Sequence, residues 1–170
     1  MSTPQILTHM SQKDIPLFAT YYFTAEGQSY QGWEFDVVIG DPEDPGAHYP
    51  PNLRRQALYL NSLKIDALGW YFNTPTLIEC KPNATCGAIG QVLSYQKWYR
   101  MNFGIQPAMM IVCQRMSRQI ETLCLYDQIA VRRVLPADYL TTQRCIAEVR
   151  TKIVDRSKQL LYSALQAQRA

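Results

Sequence analysis

The pentapeptide Leu77-Ile78-Glu79-Cys80-Lys81 constrains this chain more than any other stretch, because it sets two opposite charges inside an apolar strand pattern. In extended backbone the side chains alternate, so Leu77, Glu79 and Lys81 share one face while Ile78 and Cys80 take the other. Upstream, residues 63–72 (Leu-Lys-Ile-Asp-Ala-Leu-Gly-Trp-Tyr-Phe) also read as a strand, and Asn73-Thr74-Pro75 supplies the turn chemistry that folds one strand back antiparallel on the other. Asp66 is the one acid in that upstream strand. A register that sets it opposite Glu79 or Lys81 gathers all three charges on one face, and a register opposite Cys80 sends it to the other. The sequence leaves these registers open.

Two carboxylates and an ammonium on a half-buried sheet face are costly unless something binds there. A hard divalent cation offsets that cost: carboxylate oxygens suit Mg²⁺ or Mn²⁺, which keep several waters and complete their shell with a phosphate substrate. On this reading Asp66 and Glu79 hold the metal, the Cys80 carbonyl joins them, and Lys81 orients the nucleophile or neutralises the transition state of phosphodiester hydrolysis. The plain alternative is a solvated Glu-x-Lys ion pair, worth about 0–1 kcal/mol. Downstream, residues 84–99 carry a helical pattern with Ala88, Val92, Tyr95 and Tyr99 on one face and with Gln91 and Tyr95 one turn apart. Gly87 and Gly90 lower its helix propensity, so a close approach of this helix to the sheet is expected of them.

Asp66, twelve intervening residues, Glu79-Cys80-Lys81 and then Gln91-Val92-Leu93-Ser94-Tyr95 resemble, in order and spacing, the PD-(D/E)XK nuclease superfamily, and within it the RecB-like branch with a Gln-x-x-x-Tyr helix. The resemblance covers Lys64 to Tyr99 and extends loosely to Val134. It implies an α/β fold with a restriction-endonuclease-like core, a mixed central sheet flanked by helices. It also implies that Asp66 and Glu79 are metal ligands, that Lys81 is the catalytic lysine, and that Gln91 and Tyr95 line the same cleft. The implied activity is a Mg²⁺- or Mn²⁺-dependent deoxyribonuclease, with DNA as partner and a phage or mobile element as a fitting source. The alternative is a catalytically idle nuclease-fold module used for nucleic-acid binding or protein assembly. The chain departs from the pattern in lacking a proline before Asp66, and the further acid that many relatives supply from their first helix is not identifiable. Glu34 and Asp36 are candidates, but their segment reads as a strand, so surface or turn roles are expected for both.

With 170 residues and 47% hydrophobic content the chain can bury one good core, and a single domain spanning 1–170, with its core over about 30–135, is expected. No apolar run is long enough to cross a bilayer, and Met1 to Asp14 lacks the pattern of a signal peptide, which points to the cytoplasm, that of the host if the source is viral. Cys80, Cys86, Cys113, Cys124 and Cys145 form an odd, scattered set best read as reduced core residues, and His9 and His48 are too few for a zinc centre. Residues 1–50 carry one base and seven acids, so the remaining sixteen bases and seven acids give residues 51–170 a net charge of +9. A basic body suits a binder of phosphates, and Arg54, Arg55, Lys64, Lys97, Arg100, Arg115 and Arg118 flank the candidate site in sequence.

Elsewhere, Pro107 to Cys113 is a continuous apolar run of the kind found in strands buried on both faces. Ser117 to Asp127 reads as a helix capped by Ser117, and Ile129 to Val134 as a strand, so a parallel crossover is expected. From Thr141 to about Gln168, Ile146, Val149, Ile153, Leu160, Leu161, Ala164 and Leu165 recur at helical spacing. They predict one long C-terminal helix (about 141–168) with its N-cap at Thr141 or Thr142, packed on the core and long enough for a homo-oligomer or protein-partner contact. In the N-terminal third, Trp33 to Ile39 reads as a strand, Leu17 to Tyr22 as a strand or a helix end, and 41–51 as a polar, proline-rich surface loop.

Overall fold

The structure, a computed structural model, describes residues 10–167. Two short helices, α1 (Ile15–Tyr22) and α2 (Ala25–Ser29), precede strand β1 (Gly32–Ile39). Helix α3 (Pro51–Asn61) leads to the hairpin β2 (Leu63–Tyr71) and β3 (Thr74–Ala84). Then follow α4 (Cys86–Phe103), β4 (Ala108–Met116), α5 (Arg118–Tyr126), β5 (Ile129–Arg133), α6 (Tyr139–Arg150) and α7 (Arg156–Ala167). The five strands make one sheet in the order β1-β2-β3-β4-β5, antiparallel from β1 to β3 and parallel from β3 to β5. This is an α/β fold with a mixed central sheet flanked by helices.

Local chemistry accounts for the element ends. Thr85 and Ser117 accept backbone N–H groups of the turns they cap, Gly87 and Ile120 respectively, and Gly104 closes α4 in the left-handed conformation that lacks a steric penalty only for glycine. The β2–β3 turn is tighter than expected: Tyr71 pairs with Thr74, so the loop is Phe72-Asn73, and Thr74 and Pro75 already belong to β3.

The sheet carries a core on each face. Ile78, Cys80, Met110 and Val112 pack with Phe18 and Tyr22 of α1 and with Cys145, Ile146 and Val149 of α6. Leu77, Ile111 and Cys113 pack on the other side against Val92, Tyr95 and Tyr99 of α4 and Cys124 of α5. Strand β1 serves both. Trp33 belongs to the first core and Ile39 to the second, although their spacing in an unbroken strand would put them on one face. The crossover falls at Asp36, whose φ of 53° is left-handed. Its neighbours stay in register, Phe35 with Ala67 and Val37 with Ile65, so Asp36 stands opposite Asp66 while the ladder skips that pair.

Four expectations need correction. The single C-terminal helix is two helices, α6 and α7, separated by residues 151–155, and Asp138 rather than Thr141 or Thr142 caps α6. The helical periodicity is interrupted because the backbone of Lys152 and Val154 bonds instead to both polar groups of Trp33, placing Ile153 beside β1 as a short parallel bridge. Position 168 lies outside the described residues. Residues 51–61 form α3, a helix with no buried residue, where only the end of a loop was read. Glu34 is buried, not at the surface, and Cys86 is exposed while the other four cysteines are buried. Among the described residues no helix is long and apolar enough to cross a membrane.

Candidate active site

The β2–β3 ladder pairs Ala67 with Ile78 and goes no further toward the C-terminal end of β3. The next positions in that register are Asp66 and Glu79, the first of the two registers that gather the charges on one face. At this point β2 leaves β3 and stays with β1, so the two carboxylates sit in a fork. One acid lies on each arm.

Glu79 is only 1% exposed, and its Oε1 accepts a hydrogen bond from Lys81 Nζ at 2.7 Å. Its Oε2 is buried without a partner, and so is Asp66 Oδ2. Burial, and after it the charge of Glu79, push the Asp66 carboxyl up to about 8, against the pull of Lys81. Burial also raises Glu79, with the Lys81 hydrogen bond opposing it. For Lys81 burial acts downward, yet the Glu79 hydrogen bond and the charges of Glu79, Asp66 and Asp14 outweigh it and hold the ammonium above its ordinary value. The N–H of Cys80 turns toward the Asp66 carboxylate and stabilises its charge. In a strand the N–H and C=O of one residue face the same edge, so the Cys80 carbonyl is directed into the fork as well.

Helix α4 brings the other two expected residues. Tyr95 is buried with its hydroxyl 3.5 Å from Gln91 Nε2, which donates to it, and Gln91 lies at the solvent edge. Burial, then the charges of Glu79 and Asp66, push the Tyr95 phenol up to about 12, so it stays a donor at neutral pH. Asp66, Glu79, Cys80, Lys81, Gln91 and Tyr95 thus converge on one place. Gly87 and Gly90 do not serve as expected: both are exposed, and a Cβ at Gly90 would meet nothing within 4 Å.

Asp14 joins this group without having been anticipated. It is 5% exposed, occupies the N-cap of α1 without capping it, and places Oδ2 4.0 Å from Lys81 Nζ. The readable signal was an acid just before Ile15-Pro16 and an apolar run, a helix-start pattern. Glu34 belongs elsewhere. Trp70 Nε1 donates to its Oε2 at 2.9 Å, and Ser157 donates its N–H to Oε1 at 2.9 Å and its hydroxyl to Oε2 at 2.5 Å. Every lone-pair demand of that carboxylate is met inside the protein, and its work is to anchor the first turn of α7.

The unsatisfied oxygens of Asp66 and Glu79 are the donors a hard divalent cation takes. Among the described residues no three His, Cys, Asp or Glu side chains group closely enough to enclose a metal ion. The cavity of about 480 Å³ lined by Glu34, Phe35, Asp36, Tyr59, Phe103 and Ser157 lies behind β1, and none of Asp66, Glu79, Lys81, Gln91 and Tyr95 lines it.

No family model matches the chain, and no curated protein does. Among solved structures, the crystal structure of a repair endonuclease from Pyrococcus abyssi is similar to it at 15% identity with a TM-score of 0.43, over 69% of this chain and 45% of that one. The chain spans less than half the length of that protein.

Proposed function

We propose that this chain is a divalent-cation-dependent deoxyribonuclease of the RecB-like kind, hydrolysing DNA phosphodiester bonds at the fork of β2 and β3. One observation carries the reading: Asp66 Oδ2 and Glu79 Oε2 are buried and unpartnered beside an ammonium that occupies only the other oxygen of Glu79. A structural ion-pair cluster would satisfy both carboxylates, as the buried Glu34 is satisfied.

Asp66 and Glu79, with the Cys80 carbonyl, are the groups to hold Mg²⁺ or Mn²⁺. Bound there, such a cation supplies positive charge against the phosphoryl oxygens and acidifies water in its shell. Lys81 orients the attacking water and offsets charge on the phosphoryl group, held in place by Glu79 and kept protonated by the surrounding acids. Asp14 fixes the far side of that ammonium. Tyr95 and Gln91 present donors to a phosphate from the helix side. Attack on phosphorus breaks one P–O bond, leaving a phosphate terminus on one fragment and a hydroxyl on the other.

The test is cleavage of linear duplex, circular duplex and single-stranded DNA in Mg²⁺, Mn²⁺ or EDTA, with Glu79→Ala and Lys81→Ala in parallel. Cation-dependent cleavage is expected, reduced about 100-fold or more in each variant. Calorimetric titration with Mn²⁺ should show binding retained in Lys81→Ala and lost in Glu79→Ala. Full activity in either variant, or cleavage indifferent to EDTA, refutes the assignment.

A further inference from the structure

The basic residues of this chain are unequally available. Arg54, Arg132, Arg133, Arg144 and Lys158 are held in ion pairs with Asp44, Glu26, Glu121, Glu148 and Asp155. Lys64, Lys152 and Arg156 donate to oxygens of the protein. Arg115 and Arg118, like Lys13, Arg55, Lys97 and Arg150, are exposed, and among the described residues none of these has an ion-pair partner; Arg115 and Arg118 are set apart by their place at the C-terminal end of β4. Arg118 exerts a charge pull on Glu121, but Arg133 holds that carboxylate.

Their position is set by the sheet. Lys81 pairs with Cys113 and Asn83 with Arg115, so Glu79, Lys81, Asn83 and Arg115 share one face. From the strand rise and spacing, the Cα of Arg115 stands ~8 Å from that of Lys81. Arg118 opens α5 directly beyond the end of β4. The carboxyl ends of β3 and β4, where α4 and α5 begin, form the kind of crevice in which open α/β sheets take their ligands. Next to it, Gly87 and Gly90 expose the first turns of α4 with no side chain to keep a ligand away.

We propose that Arg115 and Arg118, lying over the carboxyl ends of β3 and β4, are the phosphate contacts that seat the DNA backbone beside the scissile bond, with the bare first turns of α4 as the surface the strand lies along. The inference rests on the deoxyribonuclease reading and adds to it the path of the substrate. Two free guanidiniums one strand away from Lys81 reach the phosphates flanking the one being cut. They fix the strand without reading its bases.

The test is binding of a fluorescein-labelled DNA duplex to the wild-type protein in EDTA, followed by anisotropy across a NaCl series. Arg115→Ala and Arg118→Ala should each lower the slope of log K against log salt by about one, and the double variant by about two, with unchanged thermal midpoints. Arg150→Ala, an exposed base at the end of α6 beside the start of β1 and so at the opposite end of the sheet, should leave the slope as it is. A wild-type protein that binds or cleaves DNA, with the slope unmoved by Arg115 and Arg118 or moved equally by Arg150, overturns the path and leaves the nuclease reading standing. A wild-type protein that neither binds nor cleaves any DNA overturns that reading and the path with it.

Discussion

Metal-free protein should lose thermal stability as pH rises from 5 to 8, and Asp66→Asn should reduce that loss. In the fold, burial and Glu79 push the Asp66 carboxyl up to about 8, whereas in the unfolded chain it titrates near 4. Between these values the native state holds a proton that the unfolded state has released. A carboxyl raised in this way contributes stability that is complete below about pH 4 and gone once pH passes about 8. The slope is at most about 1.4 kcal/mol per pH unit. For a domain of this size 1 kcal/mol moves Tm by about 2–4 °C, so the fall is about 3–5 °C per unit. The window is free of other carboxylates with resolved shifts of opposite sign: Asp44, Glu121 and Asp138 are lowered by their hydrogen-bond partners, and their contributions vanish only at more acid pH. Tyr95, at about 12, titrates above the window. The assay is circular dichroism melting at pH 5, 6, 7 and 8 in EDTA. Asp66→Asn should give a shallower series than wild type, its remaining fall due to the raised Glu79 carboxyl, and melt above wild type at pH 8. Saturating Mg²⁺ should raise the wild-type Tm most at pH 8 and leave Asp66→Asn unmoved, because the cation displaces a proton below that pH. A wild-type Tm that is flat or rising over this range, or the same slope in Asp66→Asn, refutes the assignment of the retained proton to Asp66.

Further outcomes follow from single contacts. Glu34→Ala leaves Trp70 Nε1 and both Ser157 donors without their acceptor, so it should cost about 3 kcal/mol or more and lower Tm by about 10 °C in melts while freeing α7 to early hydrogen exchange. Asp36→Val places a β-branched residue at φ 53°, with an expected loss of about 1–2 kcal/mol in the same melts. Gly90→Ala should raise Tm by about 3 °C in the same melts, since the helix gains about 1 kcal/mol and the new methyl meets nothing.

From Leu63 to Arg133 the architecture was legible because each element carries its own signal there. Alternation marks the hairpin, Ser117 opens its helix, and the apolar run of β4 announces a strand buried on both faces. The conjunction of Asp66, Glu79, Lys81, Gln91 and Tyr95 was legible for the same reason, needing only a register and a helix behind the strand. What escaped depends on contacts distant in sequence. Asp14 meets Lys81 across 67 positions, because α1 packs under β3, and no local pattern reports that. The break between α6 and α7 is imposed by the backbone of Trp33 and the carboxylate of Glu34, while the apolar spacing runs on through residues 151–155. Helix α3 has no buried face, so there was no stripe to read.

Several departures from local rule lie in one region, although Phe72 and Gln128 are also left-handed and Tyr22 Oη and Trp33 Nε1 are also buried without a partner. Asp36 holds a left-handed conformation opposite Asp66, both β ladders lapse at that residue, two carboxylate oxygens are buried without partners, and two glycines lie exposed in the first turns of the helix alongside. Each costs stability: about 1–2 kcal/mol for the backbone of Asp36, about 1 kcal/mol for a helical glycine, and about 1–3 kcal/mol for each orphaned polar group. The two orphaned carboxylate oxygens contrast with Glu34, a buried acid whose two oxygens are both engaged. On the function proposed above, a cation at the fork would engage the two orphaned carboxylate oxygens. The lapse at Asp36 is then the device that frees Asp66 from the ladder: with an ordinary strand residue there, the Asp36–Asp66 pair would close, and β2 would hold its carboxylate in the sheet instead of in the fork.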